Sequence, residues 1–318
     1  MKRPVRPKPI DLTKVTRYPI RERANKTTIS DFGKPLDPKG AKKFFDSLPA
    51  FLKAADLKAF MQAVAKARRA AKPFHLLLGA HTIKVGLSPI MIDLMERSIV
   101  TGLSFNGAGL VHDLELAFYG GTSEDVQAGL QDGSFGMARE TGELFAAAAE
   151  LAEAERIGLG HAGGLLINKR KAKFRSLSVF GVAEKLGLPV TVHIGIGTDI
   201  VNQHPVYDPS RAAAASYHDF RVLCSICAAV DRGGVLANIG SAVILPEVFL
   251  KALTVARNIN QGTSRLTTAN FDMLEHYRPT ANVVSRPTYK AGKGYNFVGH
   301  HELLVPLLAW GLKAELSA

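Results

Sequence analysis

The sequence predicts an α/β fold: a single Rossmann-like, mainly parallel sheet with helices on both faces, preceded by an N-terminal arm. Two observations carry this reading. From Phe74 onward, short apolar runs alternate with helical-period segments of about 10 to 18 residues. Several of these runs empty into glycine-rich or polar turns, as at Asn106-Gly107-Ala108-Gly109 and Gly240-Ser241-Ala242. Such alternation is what a parallel sheet covered on both faces produces. No internal repeat or linker breaks the pattern after residue 73. Residues 73–318 therefore read as one domain, behind a basic extended arm and helical segment over 1–72.

Taken in order, Met1–Lys39 holds six prolines and many charges, and reads as extended and poorly packed by itself. An arm of this kind would pack on a neighbouring subunit or bind anions weakly. Between Gly40 and Lys72, Phe44, Phe45, Leu48, Phe60, Met61 and Val64 recur at three- and four-residue steps, which indicates two helices broken at Pro49. Phe74–Leu78 reads as a strand, Ser88–Val100 as a helix and Thr101–Phe105 as a second strand. Thr122 or Ser123 is placed to cap a further helix, with Glu124 and Asp125 at its positive end. Glu140–Leu159 and Ser176–Leu186 are helical in pattern, and Gly158 and Gly160 stop the first. Val190–Ile194 is a β-branched strand leading into Gly195–Asp199. The remainder reads as helix Asp219–Val230, strand Gly233–Ile239, helix Pro246–Asn258, strands Leu266–Phe271 and Asn282–Val284, and closing helix Leu303–Leu312.

Composition narrows the function classes. The net charge is +12, but residues 1–43 hold thirteen Lys/Arg against four Asp/Glu, so nine of those charges belong to the arm. The arm lacks interleaved aromatics or a recognisable nucleic-acid module, so nucleic acid is not the favoured partner. No apolar window is long enough to span a membrane, and no apolar segment follows the basic N-terminus as in a secretory leader. The two cysteines, Cys224 and Cys227, sit in a helical pattern without a second pair, so a zinc site lacks support. They read as thiols in a reduced, cytoplasmic compartment. No metal is expected, because Gly299-His300-His301-Glu302 has none of the usual ligand spacings.

The chemistry-bearing residues gather at strand ends, where open α/β sheets bind ligands. They include His81, Lys84, Asn106, His112, Asp113, Glu115, Thr198, Asp199, Asn202, His204, Ser241, Thr267, Thr268, Asn270 and Asp272. Gly107-Ala108-Gly109 lacks the third glycine of the dinucleotide fingerprint and is equally readable as a tight turn. Asp113 and Glu115 lie just inside the following helix, where carboxylates can favour its N-terminus, accept ribose hydroxyls or hold an ammonium group. Asp199, Asn202 and His204 place an acid, an amide and an imidazole within six residues. The histidine is the evident proton-transfer group, the alternative being that it caps the loop before Pro205. Lys290 and Lys293, in TYKAGKGY, occupy a flexible glycine-containing loop; a buried lysine there could be a nucleophile, and a solvated lysine is the default.

From about residue 77 to the C-terminus the chain resembles deoxyhypusine synthase. The resemblance rests on LSFNGAGLVHDLE at an acidic glycine turn, VTVHIGIGTDIVNQHPVYDP followed by YHDFRVL, GGVLANIGSAVILPEVFLKALTVARN, and GHHELLVPLLAWGL. It implies a Rossmann-like domain binding NAD, a homotetramer with shared active sites, and polyamine chemistry. In that chemistry the cofactor oxidises spermidine to an imine, and an aminobutyl group passes through an enzyme lysine to an acceptor amine. Carried over, Asp199 and His204 fall near the family's active-site acid and histidine. Asn106, Gly107, Ala108, Gly109, Gly240, Ser241, Thr267 and Thr268 are assigned to the cofactor. Asp113, Glu115 and Asn202 are assigned to a small-molecule amine substrate, and Lys293 or Lys290 to the nucleophile. The family's W-G-K segment is not matched: NVVSRPTYKAGKGY stands in its place. Its acidic, glycine-rich loop is replaced by TTANFDMLEHYRP. Another transferase, hydrolase or lyase in the same cleft, or a non-catalytic nucleotide-binding module, is the alternative.

Overall fold

The computed structural model describes residues 10–260 and 265–317. Six strands form its sheet: β1 (Phe74–Leu78), β2 (Gly102–Asn106), β3 (Val190–His193), β4 (Val235–Ile239), β5 (Thr267–Asp272) and β6 (Lys293–Val298). Every neighbouring pair is parallel, and the spatial order is 3-2-1-4-5-6. This is the order of dinucleotide-binding sheets, and it places a topological switch point between β1 and β4.

The helices that concern the site are α1 (Ala41–Ser47), α2 (Leu52–Arg69), α3 (Ser88–Glu96), α4 (Gly107–Tyr119), α5 (Arg139–Glu155), α6 (Leu159–Lys169), α7 (Val179–Lys185), α8 (Pro209–Val230), α9 (Ile244–Asn260) and α10 (His301–Ser317). Side chains alternate across each strand, so β1 and β4 serve two cores at once. Leu76, Leu78, Val235, Ala237 and Ile239 join the larger core with residues of α2 and α10. Leu77 and Leu236 join Leu223, Cys227, Phe249 and Leu253 of α8 and α9 on the other face. Both cysteines are free thiols on α8. Among the described residues no helix is long and apolar enough to cross a membrane.

Packing does not divide the chain at residue 72. Phe60 of α2 stacks within 5.7–6.2 Å of Phe74, Phe271, Tyr295 and Phe297, centroid to centroid, so this helix belongs to the sheet's core. Residues 10–39 likewise lie on their own chain. Thr27–Thr28 pairs with Gly121–Thr122, Ile20 is buried, Trp310 Nε1 donates to Asp37 O, and Lys313 Nζ donates to Leu36 O.

Two expectations are corrected here. Asn282–Val284 is not a strand but part of a π-helical turn, Thr280–Ser285. The last strand is β6, in the segment expected to be a flexible loop; Tyr295 and Phe297 alternate inward from it. In addition, α6 follows α5 where glycines were expected only to terminate it. Gly160 sits against Val190 O and Gly163 against Leu110, approaches that any side chain would prevent.

Candidate functional site

Because the strands are parallel, their carboxyl ends form one edge of the sheet, and two polar clusters meet there. The first lies beyond β1, β2 and β3. The loop after β1 supplies Lys84, α4 supplies Ala108, Val111, His112 and Glu115, and the loop after β3 supplies Thr198, Asp199 and Ile200. With Arg23, Ser123, Glu124, Val126 and Phe135 these residues enclose a cavity of about 150 Å3. The arm is therefore a wall of the site.

Asp199 brings a buried carboxyl group to this cavity. It is 9 % exposed, and its Oδ2 accepts a 2.8 Å hydrogen bond from Gly195 N. Burial pushes its pKa up to about 6, which that one backbone bond does not offset. The carboxyl group rests on Gly107, the first residue of α4: a Cβ built there would lie 2.6 Å from Asp199 Cγ. The glycine turn that resembles a phosphate cradle thus already holds an acid, and Asn106 Oδ1 closes it by accepting from Gly109 N at 3.1 Å.

Glu115 is also in the cavity, but its charge is answered. Arg23 donates to both of its oxygens, at 3.0 and 2.8 Å, Thr141 Oγ1 donates at 2.6 Å, and Thr122 Oγ1 donates as well. Burial would raise the Glu115 pKa, yet the Arg23 hydrogen bonds and charge hold it below its ordinary value. Since the Thr122 hydroxyl proton goes to Glu115, His112 Nδ1, 2.7 Å away, donates to that oxygen. Burial pushes His112 down to about 4. Glu115 therefore serves as the anchor of Arg23 and not as a free carboxylate for substrate.

The second cluster sits at the switch point. Gly79, after β1, and Gly240, after β4, touch backbone to backbone: a Cβ on Gly79 would meet Gly240 C at 2.6 Å. His301 caps the view from α10, with its Nε2 3.3 Å from Phe271 O and 3.8 Å from Asp272 Oδ1. The His81 ring stands edge-to-face against it at 5.4 Å. A row of amides leads in along the sheet, Asn238 Nδ2 donating to Asn270 Oδ1 at 2.7 Å and Asn270 Nδ2 to Asn296 Oδ1 at 2.9 Å. Three buried polar atoms here have no hydrogen-bond partner: Asn238 Oδ1, Asp272 Oδ2 and His301 Nδ1. Sequence reading noted His81, Asp272 and His301 without assigning them a role. Their signal was position: Asp272 is the last residue of β5, and His81 and His301 each follow a strand by three residues.

Several expected site residues lie elsewhere. Asp113 is fully buried, accepting from Ser178 Oγ, Val179 N (2.9 Å) and Phe180 N (3.3 Å), so it caps α7 and faces no cleft. His204 is 1 % exposed, donates from Nε2 to Gly136 O at 2.8 Å and packs on Gly142, outside the cavity lining. Asn202 Oδ1 accepts from Gly197 N and braces the loop around Asp199. Thr267 and Lys293 are the first residues of β5 and β6, paired with each other at the amino edge of the sheet. Thr268 Oγ1 is spent on Val283 O at 2.7 Å. Lys290 and Lys293 are exposed, and Lys293 Nζ lies over the Tyr295 ring at 5.1 Å. A whole sheet length separates these four residues from Asp199. Among the residues lining the cavity Lys84 is the only lysine. Among the described residues, no group of three or more His, Cys, Asp or Glu side chains is placed to hold a metal ion.

Compared by sequence, the chain matches no protein-family model and no curated protein. Compared by structure, it is similar to a protein of Entamoeba histolytica assigned as a deoxyhypusine synthase. The TM-score is 0.53 at 11 % identity, covering 87 % of this chain and 95 % of that one. It is also similar to AgrE, solved in a ternary complex with ornithine and NAD+, with a TM-score of 0.54, 14 % identity, and 85 % of this chain covered. ArgZ, an arginine dihydrolase of the cyanobacterial ornithine–ammonia cycle, matches at a TM-score of 0.50, 15 % identity and 83 % of this chain. The chain spans about a third of the length of the latter two, 34 % and 33 %. These likenesses establish the deoxyhypusine synthase-like, Rossmann-like fold.

Proposed function

We propose that this chain is an NAD-dependent enzyme that activates a small amine at the carboxyl edge of its sheet. The observation that carries the reading is the contrast between the two glycine turns. At Gly107 the helix N-terminus is filled by Asp199, whose ionised form would repel a phosphate. At Gly240 the turn lies at the switch point, behind it α9 begins, and three buried polar atoms await partners. We assign the dinucleotide to the second turn, where the α9 N-terminus suits a diphosphate. Bound there, NAD would supply a hydride acceptor beside the Asp199 cavity.

Within that cavity this chain's own residues would bind and orient the amine. Asp199 pairs with an ammonium when ionised and takes a proton from it when the amine must be neutral, a role suited to a carboxyl group titrating at about 6. Arg23 and Glu115 neutralise each other and close the wall against water. AgrE, similar in fold, was solved with an amino acid that carries a side-chain amine, ornithine, and with NAD+. Passage of an aminobutyl group through Lys290 or Lys293 has no support, since both stand at the opposite edge. The reading therefore ends at activation of the amine.

Calorimetric titration of NAD into the purified full chain tests it, followed by small amines such as 1,4-diaminobutane in the presence of NAD. Saturable NAD binding, with amine binding that Asp199→Asn weakens, is expected. A protein that binds no NAD overturns the proposal.

A further inference from the structure

We propose that His301 is a proton acceptor at the switch point, held in its tautomer by Phe271 O and Asp272, and that its ligand partner is a hydroxyl or amine N–H. The inference deepens the reading above and rests on the crevice taking a ligand, but it concerns a different group from Asp199.

The geometry fixes the tautomer. A carbonyl oxygen can only accept, so the 3.3 Å contact to Phe271 O puts the proton on Nε2. Asp272 Oδ1, 3.8 Å from the same nitrogen, favours that proton electrostatically. In the neutral ring Nδ1 is then a lone pair, and it is buried without a donor in a residue only 1 % exposed. A buried acceptor left unpaired loses its hydration without compensation, so such an atom marks a place where a partner belongs. Asp272, 5 % exposed, accepts from Met273 N at 2.8 Å through Oδ1 and leaves Oδ2 without a partner. Nucleophile-activating histidines are oriented in this way, a carboxylate holding one nitrogen while the other faces the reacting group.

Gly240 packs directly against the ring. Its backbone is left-handed, with φ +70°, and a Cβ there would come within 2.9 Å of His301 Cε1. Any side chain at 240 would collide with the imidazole. His81, half-buried beside the ring, is held below its ordinary pKa, first by burial and then by His301 and Lys84, against Glu302 and Asp272. These are the charged and titratable groups of the adjoining loop, β5 and α10 that face the pair. A neutral His81 leaves His301 without a second cation beside it, which keeps the acceptor available. The ligand is thus a small compound whose hydroxyl or amine hydrogen reaches Nδ1; that hydrogen moves to Nδ1 and the ligand keeps the electron pair.

The imidazole nitrogens of the 15N-labelled full-length protein report this directly by long-range 1H–15N correlation NMR, with His301→Gln assigning the resonances. Expected in the free protein at neutral pH is an unprotonated Nδ1 and a protonated Nε2. Asp272→Asn should produce a tautomer mixture at His301 while leaving His204, far from it, unchanged. Addition of NAD with 1,4-diaminobutane or 1,4-butanediol should then shift the Nδ1 resonance. A protonated Nδ1 in the free protein overturns the proposal. So does an Nδ1 resonance that neither probe moves, whether or not NAD binds. Absence of NAD binding with a shift caused by a probe alone overturns the cofactor reading and leaves this one standing.

Discussion

The carboxyl group of Asp199 occupies the space in which residue 107 would carry a Cβ, with Asp199 Cγ and Oδ1 at 2.6 and 2.9 Å from that point. Glycine at the first turn of α4 therefore exists to admit a side chain from the loop after β3. Gly107→Ala should displace Asp199 and destabilise the fold by about 1–3 kcal/mol, the usual result of overfilling a packed site. Urea denaturation measures this. NMR of the Asp199 carboxyl carbon should show its pKa falling toward the ordinary value as the group moves into water.

Asp199 also gives stability a pH dependence of known sign. Its folded-state pKa, about 6, lies above that of the unfolded chain, so the fold favours the protonated acid. That contribution is complete below about pH 4 and is lost as pH rises through about 6. Asp199→Asn keeps an acceptor for Gly195 N and cannot ionise. It should match the wild type near pH 4 and exceed it near pH 8 by on the order of 2 kcal/mol in denaturant titrations. His112 and His193, both pushed down to about 4 by burial, act in the opposite sense. Their contribution is present above about pH 6.5 and is lost as pH falls toward 4.

Arg23 and Glu115 form a buried pair, with side chains 5 % and 1 % exposed. Arg23→Ala strands the Glu115 carboxylate, and loss of about 3–5 kcal/mol is expected. Hydrogen exchange should show residues 15–30 losing protection in the variant while β1 and β4 keep theirs. Retained protection of the arm would mean that it is held by its apolar contacts and not by this pair.

Lys290 and Lys293 stand at the amino edge of the sheet. Lys290→Ala and Lys293→Ala should alter stability by less than about 0.5 kcal/mol, as exposed substitutions do. They should leave NAD and amine affinities at wild-type values in calorimetry. Loss of either affinity would show that these lysines reach the crevice.

The sheet was largely legible in the sequence because its strands are buried on both faces and read as continuous apolar runs. Phe74–Leu78 was delimited residue for residue, and β2 to β5 within two residues at either end. The misses have physical causes. Asn282–Val284 is β-branched, but it lies between Pro279 and Pro287 and folds into the π-helical turn against β5 and β6. β6 shows only Tyr295 and Phe297 as an alternating signal, amid glycines and lysines that suggest a loop. The glycines of α6 look like punctuation, whereas they serve close packing. At the candidate site, Asp199 and Ser241 stand at the carboxyl edge of the sheet, as the concentration of polar residues at strand ends suggests. Which carboxylates face a cleft was not legible, since Asp113 and Glu115 are spent on Ser178 and Arg23, partners 65 and 92 residues away in sequence. His204 likewise had a plausible sequence context and a buried place.

Amide hydrogen exchange with and without NAD tests the carboxyl-edge site most directly. NAD should protect residues 79–84, 195–204 and 240–246, the loops that follow β1, β3 and β4. Protection confined to the amino edge around Lys290–Lys293, or no protection anywhere, would contradict it.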